Sequence, residues 1–248
     1  CRPQVAGLDI TQRETRPSSG QASEDRTAAA HGPPPAPAAE PGRPLPDAPP
    51  PGPRVGPHAV LLHEGDPARR IMELVEGAVM LTKLLPDGRR QVVELLGPGD
   101  VFGLACGDVY VCSAETLTAS VVVAHERGAL ERDGALAARL LRCFESQLCT
   151  LHAHALVLGR MSALERVAFF LLRLMPEGRQ EERRDTRLDG SVHIAMTRQE
   201  IADFLGLTLE TVSRAFSELK RRGLVALLRA DEVRIRDRDS MERLAGAA

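Results

Sequence analysis

Glu210, Ser213 and Arg214 bring a carboxylate, a hydroxyl and a planar cation together at spacing i, i+3 and i+4, which on a helix places all three on one face. An arginine fork donates two hydrogen bonds to a guanine edge, a glutamate accepts from a cytosine amino group, and a serine hydroxyl pairs with either. Each good bidentate contact of this kind is worth roughly 1–3 kcal/mol of discrimination against the wrong base. The chemistry open to such a triplet is direct reading of DNA bases. It requires that the triplet ride on the first turns of a helix, where side chains reach base edges in the major groove.

The surrounding window, 196–228, reads MTRQEIADFLGLTLETVSRAFSELKRRGLVALL and supplies that support. Thr197 followed three residues later by Glu200 predicts a capping box. The short helix it starts has an apolar stripe of Ile201, Ala202 and Leu205. Gly206 can take the positive φ that ends this helix, and Thr208 then caps a second one over 209–222. Gly223 provides its stop, and Lys220, Arg221 and Arg222 suit the negative end of the helix dipole. Val212, Phe216 and Leu219 recur at helical spacing and should pack on the first helix. Thr197, Arg198, Thr208 and Thr211, at the two helix starts, are the expected contacts to the DNA backbone. The alternative is a plain helical hairpin carrying these residues by chance. Caps, turn glycine, core stripe and polar face all agreeing in one window favour a helix-turn-helix.

This window resembles the DNA-binding domain of the Crp/Fnr family of bacterial transcription regulators, and within it the Fnr/FixK branch. The resemblance is carried by Met196-Thr197-Arg198, Ile201, Leu205-Gly206-Leu207-Thr208 and Glu210-Thr211-Val212-Ser213-Arg214. In the Crp branch a further arginine precedes the glutamate, whereas here that position is Leu209. The resemblance implies a TTGAT half-site facing its inverse ATCAA. It also implies wing strands within 224–236, where Val233 and Ile235 alternate with charged neighbours.

Upstream, 58–131 reads as short strands broken by turn clusters: His63-Glu64-Gly65-Asp66, Val75-Glu76-Gly77, Leu85-Pro86-Asp87-Gly88 and Gly97-Pro98-Gly99-Asp100. Apolar runs at 79–85 and 91–96 lie between them, a pattern that predicts an antiparallel barrel or roll. The order EGD, EGAV, LPDGRRQ, GPGDVFG is similar to the family's cyclic-nucleotide-binding β-roll. Residues 1–57 differ from everything after them: they hold 14 of the 18 prolines and no aromatic residue. Such a segment buries too little apolar surface to offset its ordering entropy and is expected to be a disordered, proline-rich extension. The fold class is therefore α+β: this extension, a β-roll over 58–131, a long dimerisation helix over 132–160 and a winged helix-turn-helix over 161–248.

The dimerisation helix is read from 134–159, which contains no proline. Leu140, Phe144, Leu148, Leu151, Ala155 and Leu158 step by fours and threes and draw one apolar seam, longer than a small roll can cover. A second copy of the chain is the natural partner, and the resemblance supports a homodimer with its recognition helices one duplex turn, about 34 Å, apart. Ser162-Ala163-Leu164-Glu165 then reads as another capping box, starting a helix over 163–174.

Other chemistries find less support. In relatives that bind cyclic AMP, a glutamate for the ribose follows the glycine after the P-G-D turn and an arginine meets the phosphate. Here Gly103 is followed by Leu104-Ala105-Cys106-Gly107-Asp108, and 111–116 has no arginine, so a phosphate would face Glu115 without a cation. An iron-sulfur cluster of the Fnr type needs four thiolates, most of them close together near the N-terminus, whereas Cys1, Cys106, Cys112, Cys143 and Cys149 are scattered. Cys106 and Cys112 have no histidine at zinc-ligand spacing, so no metal and no cofactor are expected. His63, His125, His152 and His154 form no haem attachment motif. No nucleophile with a paired base and no phosphate loop marks an enzyme. The expected function is a sequence-specific, cytoplasmic DNA-binding regulator, with double-stranded DNA, its own second copy and RNA polymerase as partners and no membrane. The alternative is a regulator whose roll must bind haem or a small molecule before DNA is bound. Net charge of −2 is neutral on the matter, because Lys220-Arg221-Arg222, Arg183-Arg184 and Arg229 can still make a local basic surface.

Overall fold

The computed structural model describes residues 52–175 and 191–246. Residues 1–51 and the Arg183-Arg184 pair lie outside the described residues. The roll is built from β1 (Val60–Leu62), β2 (Arg70–Glu76), β3 (Val79–Leu84), β4 (Arg90–Leu96), β5 (Val101–Phe102), β6 (Ala105–Cys106), β7 (Val109–Tyr110), β8 (Ser113–Thr116) and β9 (Val121–Glu126). Two antiparallel sheets, ordered β1-β8-β3-β4 and β5-β2-β9, face each other, with β6-β7 as a separate hairpin. Period-two alternation turns Leu62, Leu74, Val79, Leu96, Phe102 and Ala114 into one core, with Tyr110 beside them. The β2–β3 turn demands glycine: Gly77 has φ +96°, and a Cβ there would stand 2.7 Å from the Ala119 carbonyl oxygen.

The roll starts earlier than the sequence suggests, which corrects the assignment of 52–57 to a disordered extension. Gly52 N donates to Val122 O (3.0 Å), Val55 exchanges hydrogen bonds with Ser120 (2.8 and 2.9 Å), and His58 N donates to Thr116 O (2.7 Å). Arg54 also pairs with Glu76. Pro53 and Pro57 fall between these donors, at positions where no N–H is called for.

Helix α1 (Gly134–Arg160) follows, capped by Asp133, whose carboxylate accepts from Ala135 N and Leu136 N. Its 27 residues span about 40 Å. Leu136, Leu140, Gln147, His154 and Val157 form its buried face. Leu140 is therefore corrected from the predicted dimer seam: it is 2 % exposed and packs with Ile71, Val101 and Leu136 against the roll. About 100° around the helix, one residue on, Leu141 (59 % exposed) stands outward, as does Leu148 (51 %). Phe144, Leu151 and Leu158 are half-buried at the flank and Ala155 is exposed. Among the described residues no helix is long and apolar enough to cross a membrane.

The C-terminal half comprises α2 (Ala163–Arg173), β10 (Ser191–His193), α3 (Arg198–Leu205), α4 (Leu209–Arg221), β11 (Val225–Leu227), β12 (Glu232–Ile235) and α5 (Arg238–Leu244). The strands form one antiparallel sheet, β10-β12-β11, whose β11–β12 hairpin is the expected wing. Its core is continuous with the roll: Met80 and Val92 join Phe170, Leu171, Ile201, Phe204 and Phe216. Polar contacts reinforce the junction. Arg90 Nε donates to Asp203 Oδ2 (3.0 Å), His154 Nε2 to Phe204 O (3.0 Å) and Arg173 Nη2 to Leu95 O (3.2 Å).

Glu94 is the one carboxylate on the inward phase of β4. Burial pushes its pKa up to about 7, against a hydrogen bond from Gln147 Nε2 (3.2 Å) and the field of Arg173; nearby Asp100 adds to the rise. Between its ordinary pKa of 4.5 and about 7 the folded chain holds a proton that the unfolded chain has released, so stability falls as pH rises through that window and levels off above it. The span is on the order of 3 kcal/mol. Glu94→Gln keeps an acceptor for Gln147, and denaturant melts between pH 4.5 and 8 should show most of the slope gone. The residue of the slope belongs to Asp100, which burial also raises.

Candidate nucleic-acid interface

The helix-turn-helix forms as its sequence dictates. Thr197 Oγ1 accepts from Glu200 N (3.2 Å), while Glu200 Oε2 accepts from Thr197 N (2.7 Å) and Thr197 Oγ1 (2.9 Å), closing the capping box at the start of α3. Gly206 ends that helix at φ +62°, ψ +41°. Thr208 Oγ1 accepts from Thr211 N (3.2 Å) and lies 2.9 Å from Thr211 Oγ1, so the two threonines fix the start of α4 together. Val212, Ala215, Phe216 and Leu219 are buried.

The opposite face of α4 carries the predicted triplet. Glu210, Ser213 and Arg214 are all exposed. Ser213 Oγ donates back to Leu209 O (3.0 Å), whereas Glu210 and Arg214 make no side-chain hydrogen bond or ion pair among the described residues. A free carboxylate and a free guanidinium on the first two turns are poised for an external partner. At the other end, Glu218 accepts from Arg221 and Arg222 at 2.7 Å, which holds its carboxyl down to about 2. Lys220 stays exposed beside them.

Arg198 departs from expectation. Its guanidinium lies 3.5 Å above the Phe216 ring, with Nη1 buried and unbonded, and burial lowers its pKa. As placed, it joins α3 to α4 through cation–π stacking. What it offers a phosphate is its backbone N–H, one of the unpaired donors of a helix start.

Sequence reading missed what holds this unit to the rest. Arg166 on α2 donates to Leu158 O (2.8 Å) and Met161 O (2.9 Å) at the end of α1, and to Leu205 O (2.8 Å) at the end of α3. One cation thus answers the negative ends of two helices. His154 stacks on Phe204 (centroids 4.1 Å, 19°), and burial keeps it below the ordinary imidazole range. His125 and Arg139 both hold the buried carboxylate of Glu73; burial alone would raise Glu73, but these two partners bring it below its ordinary value. Two of the four histidines weighed as haem ligands are therefore engaged within the fold, and His63 and His152 are exposed. Glu115 does not look into the roll: Ala114 and Thr116 take the inward positions of β8. The case against a phosphate ligand then rests on the lack of arginine at 111–116.

This geometry agrees with the known proteins the chain resembles. A model of the cyclic nucleotide-binding domain matches residues 54–132, and one of the Crp-like helix-turn-helix domain matches 165–244. The transcriptional activatory protein AadR of Rhodopseudomonas palustris is 39 % identical over 201 residues, 78 % of this chain and 81 % of that protein. The chain belongs to the Crp/Fnr family. Within the family, the nitrogen fixation regulation protein FixK of Azorhizobium caulinodans is 39 % identical over 181 residues, covering 71 % of this chain and 72 % of its own. The solved structure of FixK2 from Bradyrhizobium japonicum superposes with a TM-score of 0.67 at 36 % identity, over 79 % of this chain and 96 % of that one. The protein is a transcription regulator with a helix-turn-helix DNA-binding domain behind a cyclic-nucleotide-binding-type roll.

Proposed function

We propose that the chain acts as a homodimer on a palindrome of TTGAT and ATCAA half-sites, with Glu210, Ser213 and Arg214 on the bases and Thr197, Thr208, Thr211 and the N-terminal amide of Arg198 beside phosphates. The observation that carries this is the free state of Glu210 and Arg214 on the first turns of α4, in a fold where most other charged groups near the helix-turn-helix are already paired. Two copies pair along the outer stripe of α1, in which Leu141 replaces Leu140 ahead of Phe144, Leu148, Leu151, Ala155 and Leu158. The name of AadR, a transcriptional activatory protein, favours activation, for which RNA polymerase would be the protein partner. DNA binding needs no added ligand, since the roll lacks the arginine that a cyclic nucleotide phosphate would use. Selection from a random duplex pool, with protein purified without added ligand, should return two TTGAT-type half-sites in inverted order. Recovery of single half-sites would remove the dimer, and recovery only after a small molecule is added would remove the ligand-free mode.

A further inference from the structure

We propose that His58, Glu115 and Glu200 form a divalent transition-metal site that ties the roll to the first helix of the DNA-binding unit. The three residues come from the entry segment of the roll, from β8 and from the first turn of α3, far apart in sequence. Their ligand atoms lie within 4.8 Å of one another: His58 Nδ1 is 3.3 Å from Glu115 Oε1 and 3.9 Å from Glu200 Oε1. Two atoms each about 2.1 Å from one tetrahedral ion stand about 3.4 Å apart, so the histidine need shift by only tenths of an ångström, while the two carboxylate oxygens, within 4.8 Å of each other, would draw together by up to about 1.4 Å. One imidazole and two carboxylates suit zinc and its first-row neighbours, and leave the fourth position open to water on the exposed side of His58.

The outer partners are those that a ligating carboxylate has. Glu200 is buried, and its Oε2 is fixed by Thr197 N and Thr197 Oγ1, which aims Oε1 at His58. Among the described residues no hydrogen bond reaches that Oε1. Glu115 Oε2 is turned away toward Arg90 Nη1 (3.8 Å), which itself is committed to Asp203. Each carboxylate thus has one oxygen oriented by the protein and one directed into the cluster, the arrangement that orients metal ligands elsewhere. The site rests on the packing of the roll against α3 and is independent of what α4 touches.

The test uses the full-length protein, stripped with a chelator and titrated with Co²⁺ and then Zn²⁺. One equivalent of Co²⁺ per chain should bind with visible d–d bands and without thiolate-to-cobalt charge transfer, which separates this site from the exposed Cys106 and Cys149. Zinc should raise the melting temperature, because only the folded chain assembles the three ligands. His58→Ala removes a partly exposed imidazole, Glu115→Gln replaces a partly exposed carboxylate by a neutral amide, and Glu200→Gln preserves the capping box. Each should lower the affinity by at least about tenfold, since even outer-sphere losses cost ~10–100-fold. Metal-free circular dichroism of the three variants identifies any that misfolds, and the other two then decide. Absence of Co²⁺ binding, equal binding by the folded variants, or a thiolate-dominated spectrum would each overturn the proposal.

Discussion

Replacing Arg214 by alanine should leave a protein that binds DNA but no longer prefers a TTGAT palindrome to a scrambled duplex. The guanidinium is exposed on the second turn of α4 with no partner among the described residues, so its removal disturbs no contact among them. The loss is that of a bidentate base contact, about 1–3 kcal/mol per half-site, and about 2–6 kcal/mol when two equivalent half-sites add. Phosphate contacts are insensitive to sequence, so the residual affinity should match that of the parent for scrambled DNA and should keep its salt dependence. Competition gel shifts at one fixed salt concentration separate the two components. A variant that still discriminates as the parent does would place base reading elsewhere.

Phe204→Ala should be the most destabilising single truncation, and it should destabilise both halves at once. Phe204 is fully buried, stacked on His154, tilted against Phe170 at 6.0 Å, with the Arg173 guanidinium 5.8 Å from its ring centre. Its carbonyl oxygen accepts from His154 and, at 3.4 Å, from Gln91 Nε2 of β4. Removing the ring costs about 3–5 kcal/mol, a fall of roughly 6–20 °C in melting temperature for a chain of this size. The chain has one tyrosine and no tryptophan, and Tyr110 lies in the roll, so tyrosine emission reports the roll alone. Emission and far-ultraviolet dichroism should shift together. A tyrosine transition left at the parental temperature would show that the shared core does not couple the halves.

Local rules carried the helix-turn-helix almost completely. Capping boxes, a left-handed glycine and an apolar stripe are decided within ten residues of each other, and all of them form where the sequence places them. What failed was non-local. Leu140 and Leu141 are equally apolar neighbours, and only the presence of Ile71 and Val101 decides which turns inward. His154 and Gln147 are polar side chains on a long helix, yet they are buried because the Phe204 carbonyl and Glu94 wait for them. The start of the roll was hidden by Pro53 and Pro57, whose missing N–H groups cost nothing at these edge positions. The His58–Glu115–Glu200 cluster left no trace in spacing, since its members meet only after three distant segments have folded.

The inner side of α1 packs on its own chain, and in the proposed dimer the outer side meets a second copy. That double use bears on how its length can vary. Inserting one residue midway would swing everything beyond it by about 100° about the helix axis, lifting His154 off Phe204 and turning the tail of the outer stripe toward solvent. Seven residues, close to two full turns, would restore the phase but displace the reading unit by about 10 Å and part its core from Met80 and Val92 of the roll. Deletions and insertions in this segment are thus disfavoured even in whole turns, because both the phase of α1 and the core shared with the roll must be kept.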